Sequence, residues 1–322
     1  MRAVVASKIS ADSPAAAVDV VDLPEPVPAA GQVRVRVRAA SLNHHDLWSL
    51  RGVGLDESRL PFVLGSDVAG VTDDGREVLV HALVADPDRG GGDELLDPAR
   101  GMLADALCGG LAEFVTVPAR NLVDKPASLS FEEAACLPTA WLTAYRMLHA
   151  RADVRPGHTV LVQGAGGGVS TAAVTLAVAA GLRVWVTGRS GPKREKARAL
   201  GADAVFETGQ RLPDRVDAVI DTVGAATWEH SLRSVRPGGT VVVAGATAGA
   251  LVKTDLFRLF LQQITIRGSA MGRVGELRDL VALCDARGVR PHIDSVHRLE
   301  AARAAFERLE SGDAFGKVVI TP

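Results

Sequence analysis

Tyrosine occurs once in this chain of 322 residues, cysteine occurs three times, and no apolar run is long enough to span a bilayer. The cysteines, Cys108, Cys136 and Cys284, are far apart and form no CxxC pair. That spacing argues against a disulfide framework, suits a reducing cytoplasm and leaves all three as small buried hydrophobes. The start, Met1-Arg-Ala-Val-Val-Ala-Ser, enters a strand pattern without the apolar region and cleavage site of a signal peptide. Net charge is −2 and no long basic run appears, so nucleic acid and anionic membrane are poor partners. The expectation is a cytoplasmic chain with room for two domains.

Glycine is plentiful, and one cluster of it organises the rest. Thr159-Val-Leu-Val-Gln163-Gly164-Ala-Gly166-Gly167-Gly168-Val169-Ser170 is a β-branched apolar run that ends in glycines, and a helical pattern follows over 171–181. This reads as a buried strand, a tight turn and a helix N-terminus. The glycines let a pyrophosphate approach bare N–H groups, and the helix dipole favours its charge. A second strand at 183–187 completes a βαβ unit, which strengthens an otherwise weak dinucleotide motif. Further strands are predicted at 204–206, 218–221, 240–244 and 264–267, giving an α/β doubly wound parallel sheet of six strands.

Ahead of that sheet, residues 1–122 read as the short strands and turns of a barrel, with strands at 33–38, 63–71, 77–84 and 112–117. Val33-Arg-Val-Arg-Val-Arg alternates, so one face is apolar and the other basic. The segment 85–110 reads as an exposed, mobile loop. Residues 130–149 are helical, with Ser130 as N-cap, Glu132 and Glu133 in the first turn, and Pro138 starting or kinking a helix. Beyond the sheet come helices at 275–286 and 300–311 and a strand at 317–321 that returns to the first domain.

The end of the second strand bears on the cofactor. After Val186-Thr187-Gly188-Arg189-Ser190 the first carboxylate is Glu195, whereas Arg189, Lys193 and Arg194 supply three cations. NAD-preferring sites place Asp or Glu here for the ribose 2′-OH. Cations and a serine suit a 2′-phosphate, with Arg189 as a bidentate donor and Lys193 as a point charge. NADPH is the predicted cofactor.

The order of these parts resembles the medium-chain dehydrogenase/reductase superfamily, and within it the zinc-independent quinone oxidoreductase-like branch. The motifs that carry the resemblance are Ala40-Ser-Leu-Asn43-His-His-Asp46, Leu64-Gly65-Ser66-Asp67-Val-Ala-Gly70, Leu137-Pro-Thr-Ala-Trp-Leu-Thr143-Ala-Tyr145, Asp221-Thr-Val-Gly224 and Phe315-Gly-Lys317. It implies a GroES-like β-barrel catalytic domain over 1–122, a Rossmann domain over 123–272 and a return segment over 273–322. Position by position, it implies that Asn43 and Thr143 reach the carboxamide or ribose of the nicotinamide. Gly164, Gly167, Gly168 and Val169 would carry the pyrophosphate. Thr187, Gly188, Arg189, Ser190 and Lys193 would line the 2′-phosphate end, Val223, Gly245 and Thr247 the nicotinamide side, and Lys317 would touch the cofactor from the return segment. Zinc-dependent relatives carry cysteine where Asn43 stands, a histidine–glutamate pair where Ser66 and Asp67 stand, and a four-cysteine lobe at 85–110. Asn43 and Ser66 are poor ligands, so no metal is expected. His44 and His45 read as successive strand residues facing opposite ways, which also argues against a shared ion.

Without a Lewis acid, the acceptor must itself stabilise negative charge, as a quinone or an α,β-unsaturated carbonyl does. The tyrosine that relatives use as proton donor is replaced by Trp48, and Tyr145 reads as packed in the core. His45, at the place of a proton-relay hydroxyl, and His44 beside it are the candidate donors. Water is the alternative donor, and hydrogen bonding within the barrel is the alternative role for both histidines. Asp46 reads as a brace for the loop. Trp48, Trp141 and Phe257 are candidate walls of an apolar pocket, and edge pairing at 262–267 is expected to give a homodimer. The expected function is therefore an NADPH-dependent, zinc-independent oxidoreductase that transfers a hydride to a small apolar acceptor, a quinone or an enone/enal. Two alternatives remain open: a non-catalytic NADPH-binding sensor, and a metal-free dehydrogenase of a specialised alcohol.

Overall fold

A computed structural model describes all 322 residues. The chain forms two compact units, Met1–Ala140 with Gly272–Pro322, and Trp141–Met271. In the first unit it lays down β1 (Arg2–Ala6), β2 (Val18–Asp22), β3 (Gln32–Ser41), α1 (His44–Leu50), β4 (Phe62–Val63), β5 (Asp67–Thr72) and β6 (Glu77–Val80). There follow β7 (Leu83–Val84), β8 (Gly101–Met102), β9 (Phe114–Pro118), β10 (Leu122–Asp124) and α2 (Phe131–Ala135). The second unit contains α3 (Leu142–Arg146), β11 (Thr159–Gln163), α4 (Gly168–Ala179), β12 (Arg183–Gly188), α5 (Gly191–Ala199), β13 (Ala204–Glu207) and β14 (Val216–Asp221). It closes with α6 (Trp228–Ser234), β15 (Val235–Val243), α7 (Leu256–Leu261) and β16 (Thr265–Gly268). The chain then re-enters the first unit as α8 (Val274–Arg287), β17 (Ile293–Arg298), α9 (Ala302–Glu310) and β18 (Lys317–Thr321). No helix is long and apolar enough to cross a membrane.

The main sheet of the first unit has the order β10-β6-β5-β3-β18-β17, with β9 also paired to β3. The alternation in β3 has its physical effect: Val35 and Val37 are buried, while the guanidinium groups of Arg34 and Arg36 lie over the Phe114 ring. The return strand β18 pairs antiparallel with β3 at Val319↔Ser41 and Ile320↔Ala40. Its entry is clamped by Asp294 of β17, which takes two bonds of 2.9 Å from Arg308 and one of 2.9 Å from Phe315 N–H. Burial alone would raise the Asp294 carboxyl, but the Arg308 guanidinium and the Phe315 N–H outweigh it and hold the carboxyl at about 2.

The second unit carries a parallel sheet of order β13-β12-β11-β14-β15-β16. All six predicted strands are present. The order reverses between β11 and β14, the place where open α/β sheets bind ligands beyond their strand ends.

Four expectations are corrected. The first crossing between units falls at Ala140/Trp141, not after residue 122, because α2 packs on β3 and β5 and Ser41 Oγ lies 3.0 Å from the Ala135 carbonyl. His44 and His45 are not strand residues. They open helix α1, where Asn43 N–H donates to Asp46 Oδ2 at 2.8 Å, the returning half of a capping box. Successive helix positions still do not face one another, but for a helical reason. The segment 85–110 is organised around buried Asp97, which accepts from Asp86 N–H at 2.7 Å and Ala99 N–H at 2.9 Å and pairs with Arg89. Those N–H bonds, ahead of the Arg89 charge, hold its carboxyl below the usual range. Finally, Cys108 is exposed, whereas Cys136 and Cys284 are buried with thiols pushed up to about 12 by burial.

Candidate functional site

Lys317 opens β18, and its side chain is 2% exposed. Its ammonium donates to Leu42 O at 2.7 Å, Asn43 Oδ1 at 2.6 Å and Asp67 Oδ2 at 3.1 Å, so all three N–H groups have acceptors. Asn43 returns its amide nitrogen to Asp67 Oδ2 at 2.9 Å and Ser66 Oγ at 3.3 Å. Ser41 Oγ lies 2.8 Å from the same Asp67 oxygen, while Asp67 Oδ1 is buried without a partner. Beneath this cluster Asp46 accepts from Asn43 N–H at 2.8 Å and Gly65 N–H at 3.1 Å, the brace expected of it. Gly65 is held at φ +97°, and a Cβ there would lie 2.8 Å from Leu111 N, so no larger residue fits the turn. Burial pushes the Asp46 carboxyl up.

This geometry reassigns two residues. The Asn43 amide, expected to reach the nicotinamide, spends both its ends on Lys317, Asp67 and Ser66. Lys317, expected to touch the cofactor, directs its ammonium into the interior of its own unit. Asp67 and Ser41, left without a role by sequence reasoning, prove to be members of the cluster. Of the α1 residues, Trp48 is half-buried and His45 Nδ1 is buried without a partner. His44 is exposed at one edge, yet desolvation by the surrounding protein, and then the charges of Lys317 and Arg51, lower its imidazolium from the ordinary range.

In the second unit the glycine turn begins at Gly164, φ +93°, whose N–H donates to Thr187 O at 3.0 Å. Gly167 is the N-cap of α4 without side-chain capping, so the N–H groups of Gly168 and Val169 stand at a free helix start. Ser170, in place of a third glycine, donates to Gly167 O at 2.9 Å and remains buried. The stem of Lys193 crosses the loop, since a Cβ on Gly166 would lie 2.8 Å from Lys193 Cδ. Ser190 caps α5, and Arg189 is exposed beside it. Arg194 turns away, donating to Gly188 O at 2.7 Å and pairing with Glu207 at 3.3 Å. Thr187 is reassigned as well: its hydroxyl is fully buried and donates to Gln163.

The loops after β14 and β15 are joined. Ala248 N–H donates to Val223 O at 2.8 Å, and Thr247 Oγ1 lies 3.3 Å from Thr222 O. Gly245 lies against the same loop, where a Cβ would come within 2.9 Å of Thr222 O. Thr143 is buried on α3. Of the proposed pocket walls, Trp141 is fully buried core and Phe257 is 71% exposed on α7.

Residues 29–127 match the family described as alcohol dehydrogenase GroES-like domain, and residues 168–286 match that described as zinc-binding dehydrogenase. The chain belongs to the medium-chain dehydrogenase/reductase superfamily. It is thus an enzyme of the oxidoreductase type found in that superfamily. Among its relatives is a 2-methylene-furan-3-one reductase of Solanum lycopersicum, 35% identical over 90% of this chain and 72% of that protein. A solved NAD-dependent alcohol dehydrogenase superposes with a TM-score of 0.92 at 35% identity, covering 100% of both chains. The 2-octenoyl-CoA carboxylase reductase CinF, solved with NADP and 2-octenoyl-CoA, has a TM-score of 0.92 at 26% identity over 99% of this chain and 87% of that one.

The Lys317–Asp67 pair is open to direct test. Removing one partner of a buried ion pair costs about 3–5 kcal/mol, because the other is left uncompensated. Lys317→Met is expected to lower the Tm clearly, and Lys317→Met with Asp67→Asn to recover part of the loss. Thermal unfolding checks this, and a single variant as stable as the parent chain contradicts the pair.

Proposed function

We propose that the chain is an NADPH-dependent, zinc-independent oxidoreductase that delivers a hydride to the polarised C=C bond of an α,β-unsaturated carbonyl, or to a quinone. The observation that carries this reading is the Lys317 ammonium lodged between Asn43 and Asp67. Catalytic zinc needs three protein ligands and one open position. Here the corresponding side chains are an amide, a hydroxyl and a carboxylate already bonded to an ammonium, a set that does not fit the ion. With no Lewis acid to polarise a simple carbonyl, the acceptor must delocalise the charge it receives. The relatives support the same chemistry: one is named for reducing a methylene-furanone, and CinF was solved with NADP and an enoyl thioester.

When bound, NADPH supplies the hydride. Gly164, Gly167, Gly168 and Val169 would hold its pyrophosphate at the start of α4, and Arg189, Ser190 and Lys193 its 2′-phosphate. Gly188 would add backbone beside them, and Val223, Gly245, Thr247 and Thr143 would line the nicotinamide side. After addition at the β-carbon the negative charge moves to the carbonyl oxygen, where His45 or His44 donates a hydrogen bond or proton. A neutral His44, favoured by its lowered pKa, donates the hydrogen bond without adding charge, and water then supplies the proton. Trp48 walls the apolar acceptor.

The expected assay outcome is oxidation of NADPH, with NADH much slower, in the presence of enones or quinones, read from nicotinamide absorbance. Oxidation of an alcohol with no reduction of any enone or quinone would instead favour the dehydrogenase reading. Tight NADPH binding without turnover would favour a sensor.

The working form in this proposal is a homodimer. The outer edge of β16 has no partner strand, and Leu256, Phe257, Phe260 and Leu261 of the preceding α7 are all more than half exposed. Sedimentation equilibrium should give the mass of two chains, and a mass of one chain at assay concentration contradicts it.

A further inference from the structure

The glycine turn rests on a chain of hydrogen bonds that is buried at Gln163, Thr187, Ser231 and Asp221 and half-buried at His230. Gln163, the last residue of β11, is 1% exposed and uses both ends of its amide. Oε1 accepts from the Thr187 hydroxyl at the end of β12, while Nε2 donates to His230 Nδ1 at 2.9 Å and Ser231 Oγ at 3.0 Å. His230 Nε2 lies 2.8 Å from Gln210 O, which assigns the ring as the Nε2–H tautomer. Ser231 Oγ passes its hydrogen to Asp221 Oδ2 at 2.6 Å, at the end of β14. The other oxygen of Asp221 accepts from Val223 N–H at 2.8 Å and Gly224 N–H at 3.1 Å.

One network therefore ties together the C-terminal ends of β12, β11 and β14, three neighbouring strands. Gly164 follows Gln163 directly and is bracketed from both sides. Its N–H is held by Thr187 O, and the Val223 side chain lies 3.6 Å from where a Cβ on Gly164 would stand. Both brackets are anchored in the network, Thr187 through its hydroxyl and Val223 through Asp221. An apolar residue at 163 would pack equally well in a buried strand. It would leave Thr187 Oγ1, His230 Nδ1 and Ser231 Oγ each short of a partner, in a region where unmade bonds are costly.

We propose that Gln163 is a positioning residue that sets the glycine turn over the strand ends and thereby the affinity for the nicotinamide dinucleotide. The inference rests on the dinucleotide reading above. It goes beyond that reading by naming a side chain that acts through Gly164, Thr187 and Asp221.

Fluorescence titration with NADPH, well below the Tm of every variant, tests it. Gln163→Leu should weaken binding roughly tenfold, the scale of a buried hydrogen-bond loss. Thr187→Val should weaken binding in the same direction, and Thr187→Ser, which keeps the hydroxyl, should bind as the parent chain does. The threonine variants stand alone if Gln163→Leu does not fold. Unchanged binding by both Gln163→Leu and Thr187→Val overturns the inference, as does equal weakening by Thr187→Ser and Thr187→Val. A parent chain that binds neither NADPH nor NADH overturns the dinucleotide reading itself, an outcome distinct from parent-level binding by the variants.

Discussion

Lys317 carries a positive charge into a part of the N-terminal unit that water does not reach, and the carboxylate of Asp67, fully buried, meets it there. Burying two ions is unfavourable unless their remaining hydrogen-bonding capacity is satisfied by neighbours. Leu42 O and Asn43 complete the ammonium, and Ser41 and Asn43 share the carboxylate oxygen that Lys317 binds, while Asp67 Oδ1 stays buried without a partner. The partners lie 250 positions apart in sequence, so the pair forms only if the C-terminal segment returns to β3. The Asp294–Arg308 clamp and the β3–β18 ladder deliver it. The same cluster orients Asn43, which stands at the N-cap position of α1, and through Ser41 it reaches the end of α2.

The two units solve similar problems with different means. In the N-terminal unit the polar centre is ionic and organised by a cation. In the Rossmann unit it consists of an amide, hydroxyls, an imidazole and one carboxylate, arranged so that each donor finds an acceptor. Both leave the side chains nearest the expected chemistry tied inward: Asn43 in the first, Thr187 in the second. The glycine turn thus offers mainly backbone N–H groups and the cations of Arg189 and Lys193. That set suits a phosphorylated dinucleotide, whose contacts are dominated by anionic oxygens.

Much of this was legible in the sequence, for reasons that particular residues make clear. The bounds of β11 follow from an apolar run closed by glycine, and its helix from the small residues after Gly168. The β18 return was readable from Lys-Val-Val-Ile-Thr at the end of the chain. Helix α1 was not, because two histidines in a row after an alternating strand suggest more strand. Its signal was the Asn43–Asp46 spacing of a capping box. The order in 85–110 was hidden because Asp, Gly and Pro read as loop, whereas Asp97 uses its carboxylate as a substitute for ladder bonds. Strand β17, Ile-Asp-Ser-Val-His-Arg, is too polar to announce itself. The role of Lys317 was invisible for a different reason: nothing local distinguishes a lysine that binds a ligand from one that neutralises a distant carboxylate.

In the function proposed above, the side chains that would hold a catalytic metal are taken up by Lys317, and the reaction proceeds without one. The most direct test is to strip the protein with a chelator, then compare zinc content and NADPH-dependent enone or quinone reduction before and after adding zinc. Full activity in the stripped protein, with no stoichiometric zinc retained on desalting, is the expected result. One equivalent of retained zinc, with activity that appears only in its presence, would contradict it.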